Sequence, residues 1–337
     1  MRHLKEAVLC ARDPFQLLRR LSGEESMVHD MVKAYATQEL RPIIKEDFNK
    51  GVFNRRVFRE MGKELGILGM TTLDHPASYR AYGVACNILE GVDSAYRSML
   101  SVQTSLVIYP VAKYATDSVK ARYLEGLRTG EYLGAFCLTE PGAGSDPGAM
   151  TTTARREGND FIINGTKTWI THAPHAEVFV VWCKLESGEI VGFVVDRSME
   201  GIETRAIENK HSMRASSTGE VKFTNVKVDR AHMLSSRGLR ATLSCLNQAR
   251  FGVSWGVLGA ASDCVEQTLE YADQRRVFGR PLSGFQLPQI KMADCVSDIA
   301  VGVASLHIIS DSKEDDSDAP YMTSILKRRN CKTALDT

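Results

Sequence analysis

The spacing of apolar residues changes period twice along this chain, from helical to strand-like and back, and that double switch limits the folds open to it. Residues 1–134 read as helix. Ser22-Gly23-Glu24-Glu25 is a capping box, with Met27, Val28, Met31, Val32 and Tyr35 following at helical spacing. Asn54 can cap a second helix carrying Val57, Phe58, Met61 and Leu65, ended near Gly66. A third helix is expected from about Ala81 to Leu106 and a fourth from about Ser118 to Leu127. From Ala135 to Val228 the pattern is that of strands between turn residues. Phe161-Ile162-Ile163 leads into Asn164-Gly165, a hairpin signal, and Ser187-Gly188 separates two apolar runs. From about Leu239 helix returns, with long stretches ending near Arg275 and Ser310, a polar turn at 312–318, and a last helix from near Ala319. The class is α+β: an N-terminal α-helical domain over 1–134, a middle β domain over 135–238 built as a small barrel or sandwich, and a C-terminal α-helical domain over 239–337.

Composition excludes several functions. With 337 residues, a sizeable core and two or three domains are expected. A net charge of +1 gives no general attraction to nucleic acid or membrane. No run of eighteen apolar residues is present, so no transmembrane helix is expected. The eight cysteines contain no C-x-x-C pair and no histidine at zinc spacing, so they read as reduced, mostly buried thiols and no metal site is expected. Arg2, Lys5, Arg12, Arg19 and Arg20 are interrupted by Glu6 and Asp13, a poor match to a transit peptide, and no apolar core for a secretory signal accompanies them.

The chemistry concentrates in a few segments. Phe136-Cys137-Leu138-Thr139-Glu140-Pro141-Gly142-Ala143-Gly144-Ser145-Asp146 is an apolar strand breaking into a glycine-rich loop that ends in a hydroxyl and a carboxylate. Such a loop can bring backbone N–H groups against an anionic ligand. Lys167-Thr168-Trp169-Ile170-Thr171 then places an indole beside a hydroxyl, an arrangement suited to a flat cofactor. The bland alternatives are a plain strand-to-loop turn and a core tryptophan. The spacing of Gly142, Gly144 and Gly148 is not G-x-G-x-x-G and strand follows it, so this is not a dinucleotide fingerprint. Arg275 suits a pyrophosphate, or else caps a helix end. Glu90 and Arg97, with Ser98, fall on one face of the expected third helix, as either a charged pocket or a surface ion pair.

Taken together, these motifs resemble those of the acyl-CoA dehydrogenases, which use FAD. The resemblance rests on Leu138–Asp146, on Gly165–Thr171, and on Arg275-Arg276-Val277-Phe278-Gly279 with Phe285-Gln286, in the family's order. Within the family, Val92–Ser98 and Leu246–Gly252 look most like the glutaryl-CoA dehydrogenases. The resemblance implies that Phe136, Leu138, Thr139, Gly144, Ser145, Trp169, Ile170 and Thr171 hold the flavin. Arg275, Phe278 and Gln286 would reach FAD in a neighbouring subunit. Ser145, Leu246, Asn247, Ala249 and Arg250 would hold the CoA thioester, and Glu90, Arg97 and Ser98 the distal carboxylate of a dicarboxylyl chain. It further implies oxidative decarboxylation of glutaryl-CoA to crotonyl-CoA in lysine and tryptophan degradation, transfer of electrons to an electron-transfer flavoprotein, and a homotetramer. The compartment would be the mitochondrial matrix in a eukaryote and the cytoplasm in a bacterium. Competing readings are a dehydrogenase for another short acyl chain and a non-catalytic flavin- or CoA-binding subunit.

Two departures from the pattern stand out. One family position for the catalytic base is Ala249 here, and the other is expected beyond Thr337, so no catalytic residue is assigned; the C-terminal domain is expected to be incomplete and dehydrogenation slow. Glu90 and Glu140 are the nearest carboxylates by motif. The loop at 72–80 also lacks the glycines usual in the family.

Overall fold

Ser22 starts the first helix as its capping box requires. Its Oγ accepts from Glu25 N at 3.2 Å, and Glu25 Oε2 accepts from Ser22 N at 2.8 Å. The computed structural model describes residues 13–72, 76–314 and 320–337; part of the glycine-poor loop at 72–80, and of the polar turn at 312–318, lies outside them. The N-terminal helices are α1 (Gly23–Tyr35), α2 (Arg41–Lys50), α3 (Arg55–Lys63), α4 (Tyr79–Glu90), α5 (Ser94–Ser101), α6 (Tyr109–Tyr114) and α7 (Asp117–Arg128). π-helical segments, Ala36–Leu40 and Val102–Ile108, carry the chain from α1 to α2 and from α5 to α6. Asn54 caps α3, and Val57, Phe58 and Met61 bury its inner face completely.

The expected third helix is two helices. α4 stops at Glu90, and after a turn the Asp93 side chain accepts from Ala95 N at 2.8 Å, starting α5. A carboxylate next to free helix N–H groups satisfies them locally, so the chain restarts rather than continues.

Eight strands follow: β1 (Gly134–Cys137), β2 (Thr153–Glu157), β3 (Asp160–Thr171), β4 (Val178–Leu185), β5 (Ile190–Asp196), β6 (Ile202–Ala206), β7 (Thr218–Asp229) and β8 (Met233–Arg237). They form one sheet in the order β6-β7-β3-β2-β4-β5-β8, with β1 parallel to β4. Phe179, Val181, Phe193, Val195, Val221 and Phe223 fill its inner face. Each such side chain contributes roughly 1.5–3 kcal/mol by burial.

The hairpin expected at Asn164-Gly165 lies elsewhere. The β2–β3 turn is at Gly158-Asn159, and β3 runs straight through Gly165 with a bulge beside it. Gly165 is needed for close approach instead: a Cβ there would lie 2.3 Å from Thr152 Oγ1. Asn164 is held by Asn225 across the ladder, its Oδ1 accepting from Asn225 N at 2.8 Å.

After the sheet come α8 (Arg240–Gln274), α9 (Gln286–Glu314) and α10 (Pro320–Asp336). α9 passes the length and composition test for a membrane-crossing helix, a test that buried core helices also pass, and no clear membrane span stands out among the described residues.

The described chain divides into two compact units. A sheet unit holds residues 43–76 and 98–249; a helical unit holds the described residues of 1–42, 77–97 and 250–337. In the helical unit α8 packs closely on α4. A Cβ at Gly83 would lie 2.3 Å from Trp255 Nε1, and one at Gly259 would lie 1.9 Å from Asn87 O. Without side chains at these positions the helices come nearer than ordinary packing allows.

Candidate functional site

In the sheet unit the glycine-rich loop leaves β1 and is stitched to β3. Thr168 N donates to Thr139 O at 2.9 Å, and Lys167 Nζ donates to Leu138 O at 2.9 Å. Glu140 and Ala143 bridge each other across the turn, so Gly142 sits at its tip. Glu140 itself is 4% exposed and Lys167 is fully buried. Glu140 Oε1 accepts from Lys167 Nζ at 2.9 Å and from Thr152 N at 3.0 Å, while Oε2 accepts from Thr151 N at 2.6 Å and Thr151 Oγ1 at 2.7 Å. Burial works to raise this carboxyl, but the hydrogen bonds from Thr152, Thr151 and Lys167 outweigh it and hold it at about 2. Burial keeps the Lys167 ammonium below its usual range in spite of Glu140. Glu140 is thus an anchor with its lone pairs engaged, not a group free to take a proton.

Beyond this anchor the surface opens. Ser145 and Gly144 are exposed, and nothing lies within 4 Å of a Cβ built at Gly142 or Gly144. Trp169 is 62% exposed and held at φ 58°, a backbone region costly for a large side chain. The bulge between Lys167 and Ile170 causes this, breaking strand alternation so that Lys167 and Ile170 turn inward while Trp169 faces out. Thr171, half-buried, ends the strand. Phe136 and Leu138 are each 8% exposed and Thr139 is half-buried beneath the same loop. The structure therefore brings Phe136, Leu138, Thr139, Gly144, Ser145, Trp169, Ile170 and Thr171 into two adjoining segments. Also in the sheet unit, Leu246, Asn247 and Ala249 are half-buried on α8 and Ser98 is buried on α5. Asn247 Oδ1 is a buried acceptor without a hydrogen-bond partner among the described residues.

The remaining expected residues lie in the helical unit. Arg275 and Gln286 are exposed at facing ends of α8 and α9. Between them Arg276–Val277 pairs with Arg280–Pro281, and the turn Phe278-Gly279 has φ 50° and 77°, the signature of a tight hairpin. It presents Phe278 at its tip, 94% exposed. Arg250 is half-buried at the start of this unit's part of α8.

Glu90 and Arg97 do meet, across the turn between α4 and α5 rather than along one helix, and they are buried rather than on the surface. Glu90 Oε2 accepts from Arg97 Nε at 2.7 Å, and Oε1 accepts from Arg97 Nη2 at 3.2 Å and from Ser94 Oγ at 2.8 Å. Glu90 is 4% and Arg97 9% exposed. Burial disfavours the Arg97 charge, and the Glu90 carboxylate more than offsets this, raising its pKa. The same burial, aided by Glu90, raises the Asp93 carboxyl. Lys167 was not among the expected site residues; with a threonine on either side, its sequence neighbourhood does not mark it as buried. No cluster of metal-ligating side chains occurs among the described residues.

Comparison with known proteins agrees along most of the chain. Residues 22–131, 135–226 and 236–337 match the N-terminal, middle and C-terminal domains of acyl-CoA dehydrogenases. A glutaryl-CoA dehydrogenase from Mycobacterium smegmatis, solved in complex with FADH2, is 36% identical with a TM-score of 0.94, the match covering 97% of this chain and 85% of that one. This chain belongs to the acyl-CoA dehydrogenase family. Members of the family are FAD-dependent oxidoreductases. The short/branched chain specific acyl-CoA dehydrogenase of Rattus norvegicus is 33% identical over 292 residues, 83% of this chain and 66% of that protein, so the match spans just under two thirds of the rat enzyme's length. Butyryl-CoA dehydrogenase from Megasphaera elsdenii is 26% identical with a TM-score of 0.88, covering 93% of this chain and 85% of that one. The open glycine tip and the outward indole fit the flavin that this membership implies: the first lets backbone approach a ligand, and the second offers a flat face.

Proposed function

We propose that the chain binds FAD and a short acyl-CoA thioester, and that its substrate is glutaryl-CoA, oxidised and decarboxylated to crotonyl-CoA. The buried Glu90–Arg97 pair carries this reading. A simple fatty acyl chain calls for apolar surroundings, whereas a guanidinium kept inside protein is costly unless it meets anions. Arg97, in the helical unit, would hold the distal carboxylate. In the sheet unit, the loop at Ser145 and the Trp169 face would receive the flavin, and Asn247 would offer its unpaired Oδ1 as an acceptor. Bound FAD supplies the hydride acceptor. Loss of the distal carboxylate as CO2 follows once the enone beside it can take up the electrons of the breaking bond, and a proton delivered to the vacated carbon then completes crotonyl-CoA.

Proton removal is the constrained step. Ala249 carries no base, Glu140 is engaged by four donors, and Glu90 is engaged by Arg97 and Ser94. Neither of these two carboxylates is therefore free to take the proton. Electron-transfer flavoprotein as acceptor, a tetrameric assembly, a role in lysine and tryptophan degradation, and a mitochondrial matrix location in a eukaryote or a cytoplasmic one in a bacterium complete the proposal by analogy with the family.

The test is titration of the FAD-loaded protein with glutaryl-CoA and butyryl-CoA, following flavin band shifts for binding and bleaching for hydride transfer. Arg97→Ala should weaken glutaryl-CoA by about tenfold or more, the value of a charge-assisted contact, and leave butyryl-CoA within about twofold. Equal weakening of both ligands refutes the carboxylate role. A protein that stays colourless in excess FAD refutes the flavin role.

A further inference from the structure

Gly256 lies on α8, two turns along from Ala249, and its backbone faces the Glu90–Arg97 pair. A Cβ placed on Gly256 would lie 1.8 Å from Glu90 Oε2 and 3.0 Å from both Glu90 Cδ and Arg97 Cγ. The space a side chain would fill is therefore already occupied by the carboxylate. Glu90 cannot simply swing aside, because Arg97 Nε at 2.7 Å and Ser94 Oγ at 2.8 Å hold its two oxygens in a buried site. Neighbouring positions on α8 behave differently. Gly252 approaches Tyr82 Oη, and Gly259 approaches the Asn87 backbone, so those two glycines serve helix packing while Gly256 serves the charged pair.

We infer that Gly256 is a specificity-determining residue: by leaving room for the Glu90 carboxylate it fixes the direction of the Arg97 guanidinium, and so the preference for an acyl chain ending in a carboxylate. This rests on the proposed reading of Arg97. With Ala at this position, the Glu90 carboxylate must leave its place and release Arg97 Nε. The guanidinium then follows the displaced carboxylate, and a distal carboxylate no longer meets it in register.

The experiment uses calorimetric binding of glutaryl-CoA and butyryl-CoA to the FAD-loaded protein, for wild type, Gly256→Ala, and the double variant Gly256→Ala with Glu90→Asp. The shorter aspartate withdraws the carboxylate by one methylene and makes room for the added methyl. Expected is a glutaryl-over-butyryl affinity ratio that falls about tenfold in Gly256→Ala, with the butyryl-CoA constant changing far less, and that recovers at least severalfold in the double variant. A wild type with no glutaryl preference overturns both this inference and the reading beneath it. A wild type that has the preference, with Gly256→Ala keeping the same ratio or weakening both ligands equally, overturns the role of Gly256 alone. A ratio lost in Gly256→Ala and not recovered with Glu90→Asp also overturns it, because the effect then does not pass through the carboxylate. Gly252→Ala is the packing control: it is expected to lower stability without selectively lowering the glutaryl ratio, and a selective loss there counts against the proposal.

Discussion

Replacing Lys167 with Met removes one charge from the pair that ties the glycine-rich loop to β3. Met matches the length of the aliphatic stem, so the change is electrical more than steric. Two losses follow. Leu138 O gives up its 2.9 Å donor, and a buried acceptor left without one costs about 1–3 kcal/mol. The Glu140 carboxylate keeps its three donors on Thr151 and Thr152 but loses its counter-ion, and breaking a buried pair from one side costs about 3–5 kcal/mol. The surviving donors place the total near the lower end, about 4 kcal/mol, a large share of the 5–15 kcal/mol typical of a folded protein. Urea unfolding at pH 7 measures it. Glu140→Gln should cost a similar amount, about 3–5 kcal/mol, because it leaves the buried Lys167 ammonium without its anion and an amide nitrogen cannot replace the oxygen that accepts from Thr151 N. The double variant should cost less than the two changes summed, by at least about 1 kcal/mol. The pH dependence has a definite sign. Glu140 has its folded pKa depressed to about 2 from an ordinary 4.5, so its stabilisation is fully present above pH 4.5 and is lost as pH falls through about 2. The stability gap between wild type and Glu140→Gln should therefore stay flat from pH 7 down to about 5 and narrow below that. A Lys167→Met protein within about 1 kcal/mol of wild type, or a gap that widens in acid, refutes the reasoning.

Three further outcomes test other parts of the molecule. Ser22→Ala removes the Oγ acceptor of Glu25 N, the side-chain half of the capping box on α1, and should cost about 1 kcal/mol in urea unfolding, with little change in flavin binding. Gly83→Ala would set a methyl 2.3 Å from Trp255 Nε1, and overpacking of this kind should cost at least about 1–3 kcal/mol and shift the tryptophan emission. Cys86, Cys137, Cys183 and Cys245 are buried and their thiols are pushed up to about 12, leaving a thiolate fraction of about 10⁻⁴ at pH 8, so among the described cysteines a thiol reagent should react first at exposed Cys264, and Cys264→Ser should remove that phase.

Local signals carried much of the fold. The period of apolar residues marked the helical–β–helical order, Ser22 and Asn54 marked helix starts, and Ser187-Gly188 marked the β4–β5 turn, because each of these depends on residues within a few positions of one another. The restart at Asp93 was equally local, but the apolar period running through it concealed the break. Asn164-Gly165 misled for the opposite reason. Its local preference is for a turn, while pairing with β7 and the nearness of Thr152 made it a bulged stretch of strand.

The motif segments of the candidate site could be read from sequence, because a glycine-rich turn and an indole next to a hydroxyl declare their chemistry by residue type. What those residues touch could not. Glu140 and Lys167 are 27 positions apart and became a buried pair only when the loop folded back on β3. Glu90 and Arg97 could be counted onto one helix face, yet only the turn after α4 and the bare backbone of Gly256 determine that the pair is enclosed and which way its guanidinium points. Sequence thus determined which elements form and which chemical groups the chain owns, since those follow from short-range sterics and hydrogen bonding. Tertiary structure decided which charges are buried, which carboxylates are already engaged and where a missing Cβ leaves room, since those depend on contacts between segments far apart in the chain.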